Sequence, residues 1–389
     1  MNAFTAIDTA SGTAAAPALH AEPVAQFVRL DAATPVFAAE WDDLAAHAAE
    51  PNAFVERWFL TASAPLADTS VRLLAIRDRG TLIGLLPLAR GSHYGRLPIA
   101  HVENWLHYHA FLGGPLLRRG HEQAAWTAIL ATLDADPAST GLLHLTNLVE
   151  HGPVHTALLA TANRPCDTVH RIERAMLASD LNPDAYYAAT VRKKKRKEIG
   201  RLQSRLAELG SVTTRRLPET GELDEWIDTF LHLEKSGWKG RAGSALACQP
   251  ETAQFFRDAL HGAHAAGKLE MLRLQVDDRT IGILVNFLAA PGSFSFKTAF
   301  DEDFARYSPG VLIQLANLGI LARSDIAWMD SCAAENHPMI NSLWGERRSI
   351  VRVTLPLAGW RSRALFHAAR TAERAAAALK RSPAPEPAA

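Results

Sequence analysis

The chain has 389 residues, with 41 Lys plus Arg against 41 Asp plus Glu. That size allows two or three packed units, and the charge balance excludes a whole-chain electrostatic pull toward nucleic acid or membrane. Its three cysteines, Cys166, Cys248 and Cys332, show no paired spacing; this excludes a disulfide framework and a zinc motif, leaving reduced thiols and a cytoplasmic location as the expectation.

Residues 1–25 are rich in Ala, Thr and Pro, without the basic start and continuous apolar stretch of a signal peptide, and are expected to be a disordered arm. Val71 to Leu88 alternates as strand, tight turn around Asp-Arg, and strand. A strand region is predicted over Trp105 to Leu117, a helix over Gln123 to Leu133 and a strand over Leu142 to Leu148. His101, His107, Tyr108 and His109 cluster around Trp105. His107 and His109 would share a strand face, but no carboxylate or further histidine stands at ligand spacing, so no metal is expected. The chain also lacks HExxH and GxSxG motifs.

Near Ser179 to Pro183 a strand gives way to a helix cap, and the unit boundary is placed at residue 180. One helix is predicted from Asn182-Pro183 to about Leu209. It carries Arg192-Lys-Lys-Lys-Arg-Lys197 and an apolar stripe of Val191, Ile199, Leu202, Leu206 and Leu209. Lys195 falls within that stripe and Arg192 at its edge. Either these side chains snorkel to the rim, or they meet an anion beside a pocket.

Leu269 to Leu288 repeats the earlier hairpin, with Gly282 matching Gly84. A strand from Phe294 to Phe300, a helix from Val311 to Leu321 and a strand from Ile326 to Met329 then repeat the order of the first half, so a duplicated mixed α/β unit is expected. Lys297 lies on the first of these strands, before the acidic turn Asp301-Glu302-Asp303. Tyr307-Ser308-Pro309-Gly310 then opens the helix, and free N–H groups there would attract phosphate. Asp330 ends the last strand, either as a ligand-facing carboxylate or as a turn or cap residue. The helix from Trp360 to Lys380 is alanine rich and is expected to dock on its own unit, with peripheral membrane contact as the alternative.

On these residues the second half, from Asn182 to Leu357, resembles the GNAT-like acetyltransferase domain of FemAB-related and CelD-type bacterial proteins. The resemblance rests on the basic helix, Glu234-Lys-Ser-Gly-Trp-Lys-Gly240, Lys297 with its acidic turn, Tyr307 to Gly310, and Asp330. The first half looks like a degenerate copy. The resemblance implies an α/β fold of tandem GNAT-like domains with mixed sheets flanked by helices, over 26–180 and 181–358, followed by a helix and tail over 359–389. It further implies acyl transfer to an amine, with acetyl-CoA or another acyl-CoA as co-substrate and an amino sugar or polysaccharide precursor as acceptor. Some relatives draw on aminoacyl-tRNA, and a catalytically silent partner of a polysaccharide synthase is the non-enzymatic alternative. DNA is not an expected partner.

Direct transfer needs a polarised carbonyl and a proton acceptor. Lys297 is the candidate to steady the oxyanion, with Asp330 or Glu234 as base. Tyr307, Ser308, Gly310, Lys195 and Arg192 are the cofactor candidates, and Trp238, Lys239 and Asp301 the acceptor candidates. The glycine-rich pyrophosphate loop of ordinary GNAT enzymes is absent, and Asp330 is followed by Ser331-Cys332.

Overall fold

A computed structural model describes residues 22–30, 34–68 and 71–381, without the side chains of 377–381. Most of the expected N-terminal arm and all of the tail from Ser382 lie outside the described residues. Residues 24 and 25, assigned to that arm, instead begin the first strand.

The chain opens with β1 (Val24–Arg29), α1 (Pro35–Ala46) and α2 (Arg57–Ala62). The first hairpin is β2 (Arg72–Asp78) and β3 (Thr81–Gly91). Its turn takes Arg79 and Gly80 to φ 47° and 84°, the left-handed pair that matches the twist of two-residue hairpins. Next come β4 (His101–Asn104), β5 (Leu116–Leu117), α3 (Glu122–Ala135), β6 (Leu142–Val149), α4 (Pro153–Thr161) and β7 (Asp167–Leu177). The strand expected over Trp105 to Leu117 is therefore mostly a loop. There Asn104 accepts from Thr146 N at 2.6 Å, and Gly113 N donates to Asn147 O at 2.9 Å.

The predicted long basic helix is two helices, α5 (Pro183–Thr190) and α6 (Lys193–Ala207). Asn182 caps α5 by accepting from Ala185 N, with Pro183 in the first turn. Val191 then becomes extended and is buried. Tyr186 fixes α5 through hydrogen bonds to Glu346 and from Gly345 N, whereas Ile199, Leu202 and Leu206 fix α6 in the core. Two anchorages with a buried Val191 between them account for the break.

The chain continues with β8 (Val212–Arg216), α7 (Leu223–Ser236), α8 (Trp238–Arg241) and α9 (Pro250–Ala265). The second hairpin is β9 (Leu269–Val276) and β10 (Arg279–Ala289), followed by β11 (Gly292–Phe300), α10 (Pro309–Asn317) and β12 (Trp328–Asp330). Finally come α11 (Pro338–Asn341), β13 (Glu346–Pro356) and α12 (Trp360–Arg381). The last helix docks through Phe366 and Ala369 against Tyr94 and Leu142 of the first half, and Arg370 and Arg374 pair with Asp167 there, so the expected docking on the preceding unit is not what is seen; Ala372 and Ala376 are exposed.

Among the described residues the strands form one mixed 13-stranded sheet in the order β1-β2-β3-β4-β6-β13-β7-β12-β11-β10-β9-β8, with β5 beside β3. Each half contributes a hairpin and a parallel step, β4 to β6 and β11 to β12. The centre is interleaved: β13 inserts between β6 and β7, and β7 pairs with β12. The mixed α/β class with helices flanking the sheet is the one read from the sequence. An aromatic core also joins the halves, where Phe54, Trp58 and Phe59 meet Phe255, Phe287 and Phe294.

Candidate active site

Strand β11 does two things on its way through the sheet. Opposite β10 its register shifts where Lys297 faces Val285 and Ser295 faces Asn286, so Phe296 is an extra, bulged residue. On its other edge it pairs with β12 only from Gly292 to Phe294. Beyond that point β12 has ended at Asp330, and the chain turns away through Cys332 at φ 54°. The β12-side edge of residues 295–300 is therefore without a ladder partner among the described residues, and an open edge offers backbone N–H groups.

A pocket of about 500 Å³ lies at this opening. Its walls include Ser295, Lys297 and Thr298 of β11, Gly310 and Gln314 of α10, and Ser331 and Cys332 after β12. Glu234, Trp238 and Lys239 close a second side, His337 to Ile340 a third, and Tyr108 with Phe111 reach in from the first half.

Lys297 is the unusual group here. Its ammonium makes no hydrogen bond or ion pair among the described residues; Nζ lies 5.2 Å from the Phe296 ring centroid and 5.8 Å from that of Phe111. Burial, and then the positive charge of Lys239, lower its pKa to about 8. Glu234 is 5% exposed and both its oxygens are engaged, Oε1 by Lys239 Nζ at 2.8 Å and Oε2 by Leu246 N at 2.8 Å. Trp238 stands on the wall, 57% exposed.

The other sequence candidates fall elsewhere. Asp330 is fully buried and does not line the pocket; it receives Arg174 at 3.4 Å, Arg348 at 3.2 Å and Cys332 N at 2.8 Å. Arg174 also donates to Phe111 O at 2.9 Å, so this buried pair supports the pocket wall. Tyr307 is buried in the core beside Phe304. Ser308 sits at φ 55°, and its carbonyl accepts from Val311 N and Leu312 N at 2.9 and 3.2 Å. The expected phosphate seat there is largely satisfied by its own chain, and of its residues only Gly310 faces the pocket. Asp301 is outside the pocket, held by Arg279 at 2.6 Å and capping Asp303 N at 3.0 Å. Arg192 and Lys195 line a different cavity.

Ser295 and Gln314 were not singled out in the sequence. Gln314 donates to Ser295 Oγ at 3.2 Å and accepts from Asn317 at 3.1 Å, and Asn317 accepts from Asn286, which also donates to Glu270. This buried polar ladder is hidden in sequence because its members come from four separate elements, β9, β10, β11 and α10.

His107 and His109 are not on a strand. His107 Nδ1 accepts from His109 N at 3.3 Å, which places its proton on Nε2, 3.0 Å from Ser63 Oγ. His109 stacks on Phe255 at 5.6 Å. Burial and the charge of Lys297 lower their pKa values to about 4 and about 3, so both stay neutral. No cluster able to hold a metal occurs among the described residues.

Strand β11 is thus bulged on one side and splayed from its parallel neighbour on the other, with the pocket at the split. Residues 193–337 match the family model of the acetyltransferase (GNAT) domain, and the protein is an acyltransferase carrying a GNAT-type domain in its second half. No curated protein matches it in sequence. Its fold is similar to that of FemX, with 12% identity and a TM-score of 0.57 over 82% of this chain and 95% of that one. It is also similar to a conserved protein of unknown function from Bacteroides thetaiotaomicron (12% identity, TM-score 0.52, 82% of this chain and 97% of that one). A third similar fold is the C-terminal DUF2156 domain of an Agrobacterium fabrum protein described as a lysylphosphatidylglycerol synthetase. The values there are 11% identity and a TM-score of 0.51 over 85% of this chain and 95% of that one. No helix among the described residues is long and apolar enough to cross a membrane.

Proposed function

We propose that the protein transfers an acyl group from a carrier thioester or ester to a primary amine at the split between β11 and β12. Acetyl-CoA is the leading donor, and an amino sugar or cell-envelope or polysaccharide precursor the leading acceptor. The observation that carries this reading is the unpaired Lys297 ammonium beside the open edge of β11. The amine nitrogen attacks the carbonyl carbon, and the oxygen that becomes negative is met by Lys297 and a β11 N–H in a site of low polarity. Collapse breaks the bond to the carrier, which leaves with the electron pair. Glu234, the carboxylate on the wall, takes the amine proton as Lys239 yields its place.

In this proposal residues 26–180 shape the acceptor side through Tyr108 and Phe111, residues 181–358 hold the donor chemistry, and 359–389 add a helix and tail. A second reading, with aminoacyl-tRNA as donor, is favoured by the similarity in fold to FemX and by the basic residues 192–197.

The test is thermal stabilisation and single-turnover transfer with acetyl-CoA, longer acyl-CoAs and aminoacyl-tRNA against a panel of amines. A ligand that binds only the native state raises the melting temperature. Stabilisation by one donor class, with transfer lost in Lys297→Met, is the expected result. Absence of both binding and transfer with every donor would sink the enzymatic reading in favour of a silent partner of a synthase.

A further inference from the structure

The buried ladder behind Ser295 has a direction, and its charged end sets it. Glu270 of β9, paired with Arg216, offers only acceptor oxygens. Asn286 must therefore turn Nδ2 toward it, at 2.9 Å, and the same nitrogen gives its second hydrogen to Asn317 Oδ1 at 2.7 Å. Asn317 Nδ2 is left to donate to Gln314 Oε1 at 3.1 Å, and Gln314 Nε2 to Ser295 Oγ at 3.2 Å. Asn286 is fully buried and its Oδ1 has no partner. Reversing the amides would press that oxygen against the Glu270 carboxylate, so the unpaired atom is the mark of an imposed order.

Ser295 thus accepts from Gln314, and its own O–H has no acceptor among the described residues. A ladder that only rivets α10 to the sheet would account for the burial, but not for a hydroxyl proton left over at the end that lies on the pocket wall.

The bulge decides where that proton stands. Ser295 faces Asn286 across the ladder, and Lys297 faces Val285. Cross-strand partners share a face: Asn286 reaches α10 through Asn317, whereas Val285 lies in the aromatic core with Phe255 and Phe287. Residues two apart on a regular strand share a face; the extra residue Phe296 breaks that parity and sends Ser295 and Lys297 to opposite faces. Both still line the one pocket, which passes through the sheet where β12 has ended. Ser295 is the first residue of β11 beyond its last β12 pair, Phe294 with Asp330.

We propose that the Ser295 hydroxyl is a second side-chain donor to the acyl oxygen, set against Lys297 from the opposite face of the split. The inference rests on the acyl-transfer reading and adds to it one catalytic residue, with Glu270, Asn286, Asn317 and Gln314 as positioning residues. A carbonyl oxygen lying in the gap carries a lone pair on each side, so one donor from each face meets it without competition. As the amine attacks and the oxygen becomes negative, the Ser295 O–H···O bond shortens and strengthens. Serine keeps its proton throughout, and the ladder has aimed it before the substrate arrives.

The experiment uses the full chain with acetyl-CoA, longer acyl-CoAs and aminoacyl-tRNA against the same amine panel, and a urea midpoint for each variant. Ser295→Ala is expected to lower kcat about 30- to 100-fold with the donor KM within about twofold. Ser295→Thr, which keeps a hydroxyl, should return kcat to within about fivefold of wild type. Glu270→Gln keeps its amide oxygen on Arg216 and turns its nitrogen to Asn286, which lets the ladder reverse; Gln314 Oε1 then draws the Ser295 proton away from the split. There kcat should fall about fivefold at unchanged KM, an effect that a purely structural ladder would not produce. If Ser295→Ala does not fold, Glu270→Gln decides. A folded Ser295→Ala protein with wild-type kcat, where Lys297→Met abolishes transfer, overturns the inference and leaves acyl transfer standing. A wild-type chain that neither binds nor transfers from any donor overturns both.

Discussion

Lys239 Nζ donates to Glu234 Oε1 at 2.8 Å, so the pocket's carboxylate is already engaged and the Lys297 ammonium has no ion-pair partner among the described residues. The pocket thereby holds a net cation facing an open strand edge. That arrangement is unfavourable for stability and useful for meeting a developing oxyanion.

The cost can be measured. The Lys297 pKa falls from 10.5 to about 8 on folding, so between these values the unfolded chain holds a proton that the native protein has released. Wild-type stability therefore rises with pH across that window, and the full penalty applies below pH 8. Lys297→Met is expected to be more stable than wild type at pH 7 by up to about 3 kcal/mol, with the difference vanishing near pH 10.5. Urea denaturation at pH 7 and pH 10 checks the sign, and transfer should be lost in the same variant.

Asp330 answers to a different test. It is fully buried between Arg174 and Arg348, and its substitution leaves two buried guanidinium groups without their anion. Asp330→Asn should cost about 3 kcal/mol or more, seen as a lower urea midpoint. A variant of wild-type stability that lacks transfer would instead support direct action on substrate.

How legible these roles were in the sequence depended on the range of the interactions. Both hairpins could be read from alternation and turn residues, because a strand pair with a two-residue turn is a local object. The placement of Lys297 on a strand was equally local, since small and aromatic residues flank it. Asp330 could be read either as a ligand-facing carboxylate, because a strand end is where ligands bind, or as a turn or cap residue; its two arginine partners come from β7 and β13, 156 and 18 residues away, and could not be read locally. The break at Val191 was hidden for a similar reason. Helical periodicity runs straight through it, and only the anchoring of Tyr186 by Gly345 and Glu346 sets α5 apart from α6.

The halves should also be coupled in stability through Phe54. Its ring, 1% exposed, packs edge-on to Phe294 of β11 at 5.1 Å and to Phe111 of the pocket wall at 5.7 Å. Phe54→Ala leaves a cavity where residues from both halves meet, at a cost of about 3–5 kcal/mol. A single cooperative transition at lower urea is the expected outcome, because the sheet passes its central strands from one half to the other. Two separated transitions would show instead that each half unfolds alone.

Glu50 supplies the opposite pH signature to Lys297. It lies buried, with Oε2 unpartnered and pressed close to Gly152, and burial raises its pKa from 4.5 to about 7 against the lowering influence of Arg348. Native Glu50 keeps its proton between these values while the unfolded chain has lost it. Its favourable contribution is complete below pH 4.5 and is lost as pH rises toward 7. Above pH 7 the native state carries a buried carboxylate, at a cost of about 3 kcal/mol. Glu50→Gln, uncharged throughout, should therefore exceed wild type in stability at pH 8 and match it near pH 4.5. Paired denaturation curves at the two pH values decide the matter, since a carboxylate well compensated by Arg348 would give a Gln variant less stable than wild type at pH 8.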